Sequence, residues 1–308
     1  MKDILVLGST GYVGSRLIPR LLDQGYSVRA GWRTRGKLEG QSWKAHPNLE
    51  PVHVYVFNYD ELKRAMHDCD VVFYLVHSMY SGKDYADMDR IAAKNIASLS
   101  DEIEIKRIIY LSGLGKEEDN LSRHLRSRKE VDRILRTSKT PVTTFQAAMI
   151  IGPGSASFEI MRFLVDRLPV MITPKWVRTK TQPIAIEDTT LYLARCLEKP
   201  ETVGETFDIG GPEITTYHDL MRAYAKEAGL ARRIVFPIPL LTPELSSYWV
   251  NLITPIQASI ARPLIAGLSQ ETICSENRIR EIIPQKLLTI RESIYLTLSS
   301  NDFKKGKY

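Results

Sequence analysis

Cysteine is scarce. Cys69, Cys196 and Cys274 are the only three in 308 residues, and none belongs to a Cys-x-x-Cys or Cys/His grouping. That spacing argues against a disulfide framework or a zinc knot and points to a reducing compartment. Long apolar runs are scarce too. A spanning helix needs about 20 uninterrupted apolar residues, and the longest candidate, 248–268, is broken by Pro255, Arg262 and Pro263. The first residues, MKDILVLGST, lack the apolar core and small-residue cleavage site of a secretory leader. The expectation is a cytoplasmic protein with no transmembrane segment. Charge of one sign is not extreme: 42 basic residues against 36 acidic ones leave +6. The longest basic run, 123–136, has no aromatic residue to stack on bases, so no specific nucleic-acid partner is expected.

What the chain does have is a core and a rhythm. Hydrophobic residues make up 44%, enough for one large or two ordinary domains. Short apolar runs at 4–7, 26–30, 52–57, 71–76 and 107–111 read as strands. Between them, apolar residues recur at helical spacing over 13–22, 60–67 and 84–99. Near-continuous apolar strands alternating with amphipathic helices predict an α/β fold with a parallel sheet covered on both faces. A helix is expected over 122–136 and a sixth strand over 142–148. Beyond 155 the alternation weakens. Helices are expected at 156–168, 187–197 and 216–228, the last capped by Thr215 or Thr216, with short strands at 183–186 and 206–209. The expected division is a Rossmann-like doubly wound domain over 1–155 and a smaller, irregular lobe over 156–308, with 183–186 and 206–209 returning to the main domain.

Gly8-Ser9-Thr10-Gly11-Tyr12-Val13-Gly14 stands directly between the first strand and the first helix. Gly8 permits the tight turn, Gly11 the approach of backbone to a pyrophosphate, and Gly14 close helix–sheet contact. The helix N-terminus adds unpaired N–H groups for the anion. The end of the second strand lacks the acid that bonds the ribose hydroxyls of NAD; from Val28 on, no acidic residue occurs until Glu39. Arg33 and Arg35 stand there instead, suited to clamp a 2′-phosphate, so NADP is the expected cofactor, with NAD as the alternative. Asn58, a donor and an acceptor at the rim after the third strand, is expected to read the adenine, and Asp60 to cap the next helix. Val76 and His77 occupy the rim after the fourth strand, where open sheets bind ligands.

The G-x-T-G-x-x-G turn, with the stretches 74–79, 110–115, 152–159 and 246–268, resembles the extended or atypical short-chain dehydrogenase/reductases of the NmrA-like, NAD(P)-binding group, over nearly the whole chain. In that superfamily a Ser or Thr follows the fifth strand and a Tyr-x-x-x-Lys lies on the next helix. Ser112 matches the serine, whereas His124 and Arg128 stand in place of the tyrosine and lysine. The resemblance implies that Ala148 and Ile150 pass the nicotinamide carboxamide. Three readings stand for His124 and Arg128: a cofactor-binding remnant in which Arg128 reaches the ribose, acid–base work by His124, and a solvated pair on a charged helix. Ser155 and Ser157 read as helix caps, and Arg178, Tyr248, Trp249 and Arg262 as candidates for a second-lobe pocket. The function classes left open are a binding module for a small molecule or protein partner and an NADPH-dependent oxidoreductase or epimerase. A homo-oligomer is compatible with either.

Overall fold

The computed structural model describes residues 3–78, 85–115, 121–238 and 253–300. Its centre is a seven-stranded parallel sheet. The first half supplies β1 (Asp3–Leu7), β2 (Ser27–Trp32), β3 (Leu49–His53), β4 (Val71–Tyr74), β5 (Arg107–Gly113) and β6 (Val142–Ala147). The short strands β7 (Ile150–Ile151), β8 (Val170–Pro174), β9 (Lys180–Thr181) and β10 (Ile184–Ala185) precede β11 (Thr206–Ile209), and β12 (Thr215–Thr216) and β13 (Ile234–Ile238) follow it. The sheet order is β11-β6-β5-β4-β1-β2-β3, the doubly wound arrangement the alternation predicts. Every neighbouring pair in it is parallel.

The helices α1 (Gly14–Asp23), α2 (Arg35–Glu39), α3 (Tyr59–Met66), α4 (Tyr85–Glu102) and α5 (Arg123–Leu135) connect these strands. They are followed by α6 (Ala156–Arg167), α7 (Ile186–Arg195) and α8 (Tyr217–Glu227). Strand residues alternate between two cores. Ile4, Val6, Phe73 and Ile109 face Leu17, Leu21 and Tyr192 on one side; Leu5, Leu7, Val72 and Tyr110 face Leu62, Ile96 and Val131 on the other. Covering both faces removes the polar positions a one-sided strand would need, which is why these strands read as continuous apolar runs.

Three local expectations are corrected. The third strand is 49–53, not 52–57, because β2 ends at Trp32, the partner of His53, and the Val54 amide makes the last bond, to the Trp32 carbonyl at 2.9 Å. Residues 54–57 then turn over the sheet rim. Pro51 is tolerated because β3 is an edge strand. Asp60 lies in the first turn of α3, and Asn58 is the cap, its side chain accepting from the Glu61 amide at 3.2 Å. Ser155 occupies the N-cap position of α6 without a side-chain cap bond. Thr216 caps α8, accepting from the Asp219 amide at 3.1 Å.

Beyond the main sheet, β8 and β13 form a parallel two-stranded pair that the sequence pattern does not announce. A separate core of Phe158, Met161, Tyr217, Leu220, Tyr224 and Ile294 holds this lobe together. No described helix is long and apolar enough to cross a membrane. Tyr248 and Trp249 lie outside the described residues. Arg178 and Arg262 are exposed.

Candidate functional site

In the order of the sheet, β1 is flanked by β2 on one side and β4 on the other. This is where the connections diverge to opposite sides, and the crevice at the carboxyl ends of such strands is the usual ligand position of open α/β sheets. The glycine loop fills it. Gly8 has φ +87°, and a Cβ there would lie 2.9 Å from the Leu75 carbonyl oxygen. A Cβ on Gly14 would lie 2.3 Å from the Gly8 carbonyl oxygen. The Gly11 amide donates to the Gly8 carbonyl at 2.9 Å, and the Ser15 amide to the Gly11 carbonyl at 3.0 Å. The amides of Thr10, Tyr12, Val13 and Gly14 have no acceptor among the described residues. Convergent amides at the start of a helix suit a pyrophosphate.

Ser9, which the pattern reading passed over, fixes this loop. Its buried hydroxyl donates to the Gly31 carbonyl at 2.7 Å, tying the turn to β2. The Tyr12 ring leaves the crevice: Arg16 lies over it at 4.7 Å and also donates to the Pro153 carbonyl at 2.7 Å. A Cβ on Gly152 would lie 2.4 Å from the Tyr12 hydroxyl oxygen. Tyr12 and Val13 therefore offer backbone, not side chains, to an anion.

A cavity of about 230 Å³ opens from the loop along the ends of β2, β3 and β4. Gly8, Thr10, Gly11 and Gly31 form its floor, Val54 to Phe57 one wall, and Leu75 to Ser78 the other; Arg33, Thr34 and Lys37 stand at its β2 end. No carboxylate among the described residues lines it. Arg33 has no hydrogen bond or ion pair among the described residues. Arg35 takes no part in the lining; it is exposed on α2, 3.8 Å from Glu39. The sequence does not single out Lys37 from the other basic residues after the second strand, Arg33 and Arg35. Only the turn of α2 shows that it comes back over the cavity. Asn58 does not line the cavity either, because the α3 cap and a bond to Glu61 Oε1 at 3.1 Å occupy its amide. Phe57 and its neighbours supply the wall instead.

Val76 and His77 do line the cavity, at its end nearest β4. Behind His77, outside the cavity lining, lies a polar group on β5 and α5. Arg128 is buried to 8% exposure. Its Nη1 lies 3.4 Å from the Tyr110 hydroxyl oxygen, and that hydroxyl donates to the Arg128 carbonyl at 3.3 Å. The remaining guanidinium N–H groups have no acceptor among the described residues. The Ser112 hydroxyl is buried and has no partner there either. Asp89, 2% exposed, accepts from the Ser78 amide at 2.8 Å and from the Ser127 hydroxyl at 3.2 Å. It thereby ties the loop bearing His77 to the helix bearing His124 and Arg128, and its charge helps keep Arg128 protonated.

His124, one turn before Arg128 on α5, makes no hydrogen bond among the described residues. Burial, then the Arg128 guanidinium, then His77 push its imidazole down to about 3. Desolvation first and Arg128 second hold His77 below its ordinary value as well. The solvated-pair reading of His124 and Arg128 is thereby corrected for Arg128, which faces inward. The loop therefore gathers Gly8, Thr10, Gly11, Tyr12, Val13 and Gly14, the cavity adds Arg33, Val76 and His77, and the inner rim adds Ser112, His124 and Arg128. Ala148 is half-buried in the bend between β6 and β7, and Ile150 pairs with Ile184; neither lines the cavity.

Residues 8–162 match the model of a family described as NAD(P)H-binding. The chain belongs to that family. It is 23% identical over 303 residues to the mitochondrial NADH dehydrogenase [ubiquinone] 1 alpha subcomplex subunit 9 of Arabidopsis thaliana, a match covering 92% of this chain and 74% of that one. Its fold is similar to that of the NADPH-dependent quinone oxidoreductase of Escherichia coli solved with NADPH, at TM-score 0.75 and 15% identity, over 94% of this chain and 98% of that one. The Bordetella bronchiseptica enzyme WbmH, solved with NAD+, is similar at TM-score 0.73 and 15% identity, over 100% and 99%. The loop's unpaired amides fit the pyrophosphate of such a nicotinamide dinucleotide.

Proposed function

We propose that this chain is an NADP(H)-binding protein of the NmrA-like, atypical short-chain dehydrogenase/reductase kind, acting as a reductase through a site in which His124 and Arg128 replace the tyrosine and lysine of related enzymes. The observation that carries the cofactor choice is the β2 end of the cavity. Arg33, Thr34 and Lys37 line it and no carboxylate among the described residues does, which suits a 2′-phosphate and leaves ribose hydroxyls without an acidic acceptor there. Support for a reaction centre comes from Ser112, Arg128 and His124, which keep polar groups unpaired among the described residues, Arg128 and His124 lying near the cavity-lining His77. A neutral His124, held near 3, suits hydrogen bonding, being too weak a base and too little protonated for acid–base work at neutral pH. That property also favours the second reading, a binding module that holds the dinucleotide without turnover. A cytoplasmic setting belongs to this proposal and rests on three separate cysteines, all free.

Calorimetric titration with NADPH and NADH tests the cofactor choice. Wild type is expected to prefer NADPH, and Arg33→Ala to weaken NADPH by roughly ten- to a hundredfold, the size of a charge-assisted bond of about 1.5–3 kcal/mol, while sparing NADH. Arg35→Ala should change neither much. Equal affinity of the wild type for both dinucleotides would remove the proposed clamp.

A further inference from the structure

Among the described residues, the buried Arg128 is a cation without a carboxylate partner to match it. Arg128 is more than nine-tenths buried, its one side-chain contact is a long one to a neutral phenol, and no salt bridge to a described carboxylate forms. Burying a guanidinium costs several kcal/mol unless its hydrogen-bonding capacity is met. Asp89 lowers that cost through its field, yet its oxygens are occupied by Ser78 and Ser127. Near Arg128 stand the imidazoles of His77 and His124, and the buried Ser112 hydroxyl, with no hydrogen-bond partner among the described residues, lies beside the Tyr110 phenol that Arg128 touches. These groups come from the loop after β4, from β5 and from α5; His77 is the one that lines the cavity, and Arg128 and His124 lie close behind it.

We propose that Arg128, with Ser112 and His124 beside it, receives the oxygen of a conjugated carbonyl substrate, a quinone or enone, and holds the delocalised oxyanion that reduction produces. This rests on the reductase reading above. In the step, a hydride leaves the reduced nicotinamide C4 for the conjugated carbon, the nicotinamide becomes oxidised, and the displaced π pair settles on the carbonyl oxygen. Water then supplies the proton. A phenolate-like oxyanion has a conjugate-acid pKa of about 10, so a fixed guanidinium suffices to stabilise it. An isolated ketone would give an alkoxide nearly as basic as hydroxide, whose parent water has a pKa of about 15.7, and would need a proton donor in the same step. Held near 3, the His124 imidazole is not such a donor at neutral pH.

The test uses 4-nitrophenol, whose phenolate absorbs visible light and whose neutral form does not, titrated into the full chain at pH 6 with and without saturating NADP+. Wild type is expected to bind it as phenolate. Arg128→Met should lose the phenolate band and weaken binding by about ten- to a hundredfold, and Arg128→Lys should restore part of both. Binding of the neutral phenol, no binding, or an unchanged band in Arg128→Met would overturn the proposal. Thermal melts identify a variant that has not folded, in which case Ser112→Ala, expected to reduce the band, takes its place. NADP+ affinity, titrated separately, reports on the reductase reading, since the phenolate band without nucleotide depends on Arg128 and its neighbours and not on the cofactor. With NADPH, 1,4-naphthoquinone should turn over at least about a hundredfold faster than cyclohexanone, and the reverse order would equally overturn the substrate class.

Discussion

Gly14→Ala is a sharp test of the glycine loop, because the added methyl has nowhere to go. Its carbon would stand 2.3 Å from the Gly8 carbonyl oxygen and 3.0 Å from both the Gly8 carbonyl carbon and the Ser9 Cα. All three atoms are backbone, so no side chain can swing aside. The turn must open, and it is tied down at both ends. Ser9 is bonded to the Gly31 carbonyl, and an opened Gly8, at φ +87°, would press toward the Leu75 carbonyl. Overpacking of this kind costs about 1–3 kcal/mol. With about 2.1 cal/mol/K of unfolding entropy per residue, a chain of 308 residues should melt about 2–5 °C lower. Dinucleotide affinity should fall at least about tenfold, because the free amides of Tyr12 and Val13 no longer converge. Gly36→Ala is the control: it lies in α2, with nothing within 4 Å of its added Cβ, and should be neutral or stabilising by up to about 1 kcal/mol. Urea or thermal denaturation and nucleotide-fluorescence titration read both. Unchanged melting and unchanged NADPH affinity in Gly14→Ala would refute the reasoning.

Two further outcomes follow from buried cations and imidazoles. His124 is held near 3 in the fold against about 6.5 in the unfolded chain, so between these values the unfolded state binds the extra proton. Stability should therefore fall as pH drops from about 6.5 toward 3, and His124→Gln should flatten that dependence in melting curves taken across the range; an identical slope in both proteins would contradict the assignment. Arg107, 6% exposed at the start of β5, donates to the Thr143 hydroxyl, the Cys196 carbonyl at 2.8 Å and the Thr202 hydroxyl at 2.8 Å. Arg107→Ala removes the donor for a buried carbonyl and opens a cavity. It should cost about 3 kcal/mol, seen as a lower urea midpoint with dinucleotide affinity, measured on folded protein, little changed.

The sequence by itself determined the parallel sheet and the phosphate loop, because both are written in local chemistry. Strands buried on both faces must be apolar throughout, as Ile4–Leu7 and Val71–Tyr74 are, and a turn that packs backbone on backbone accepts only glycine at positions 8 and 14. Other features were local as well but were misassigned: Asn58 had the right chemistry for either an adenine or a helix cap, and the cap, three residues from the Glu61 amide, claimed it. Tertiary structure alone decided which arginine enters the cavity. Arg33 and Arg35 are equal in sequence, and the start of α2 carries Arg35 outward while bringing Lys37 over the β2 end. It also decided where β3 stops, since a strand extends only as far as its partner β2, and it created the β8–β13 pair from segments 60 residues apart with no shared local signal. The state of His124 and Arg128 belongs to the same class. No spacing along α5 reveals that one turn of a basic helix is pressed against β5 and α4, where desolvation discharges the imidazole and the field of Asp89 and the tyrosines keeps the guanidinium charged.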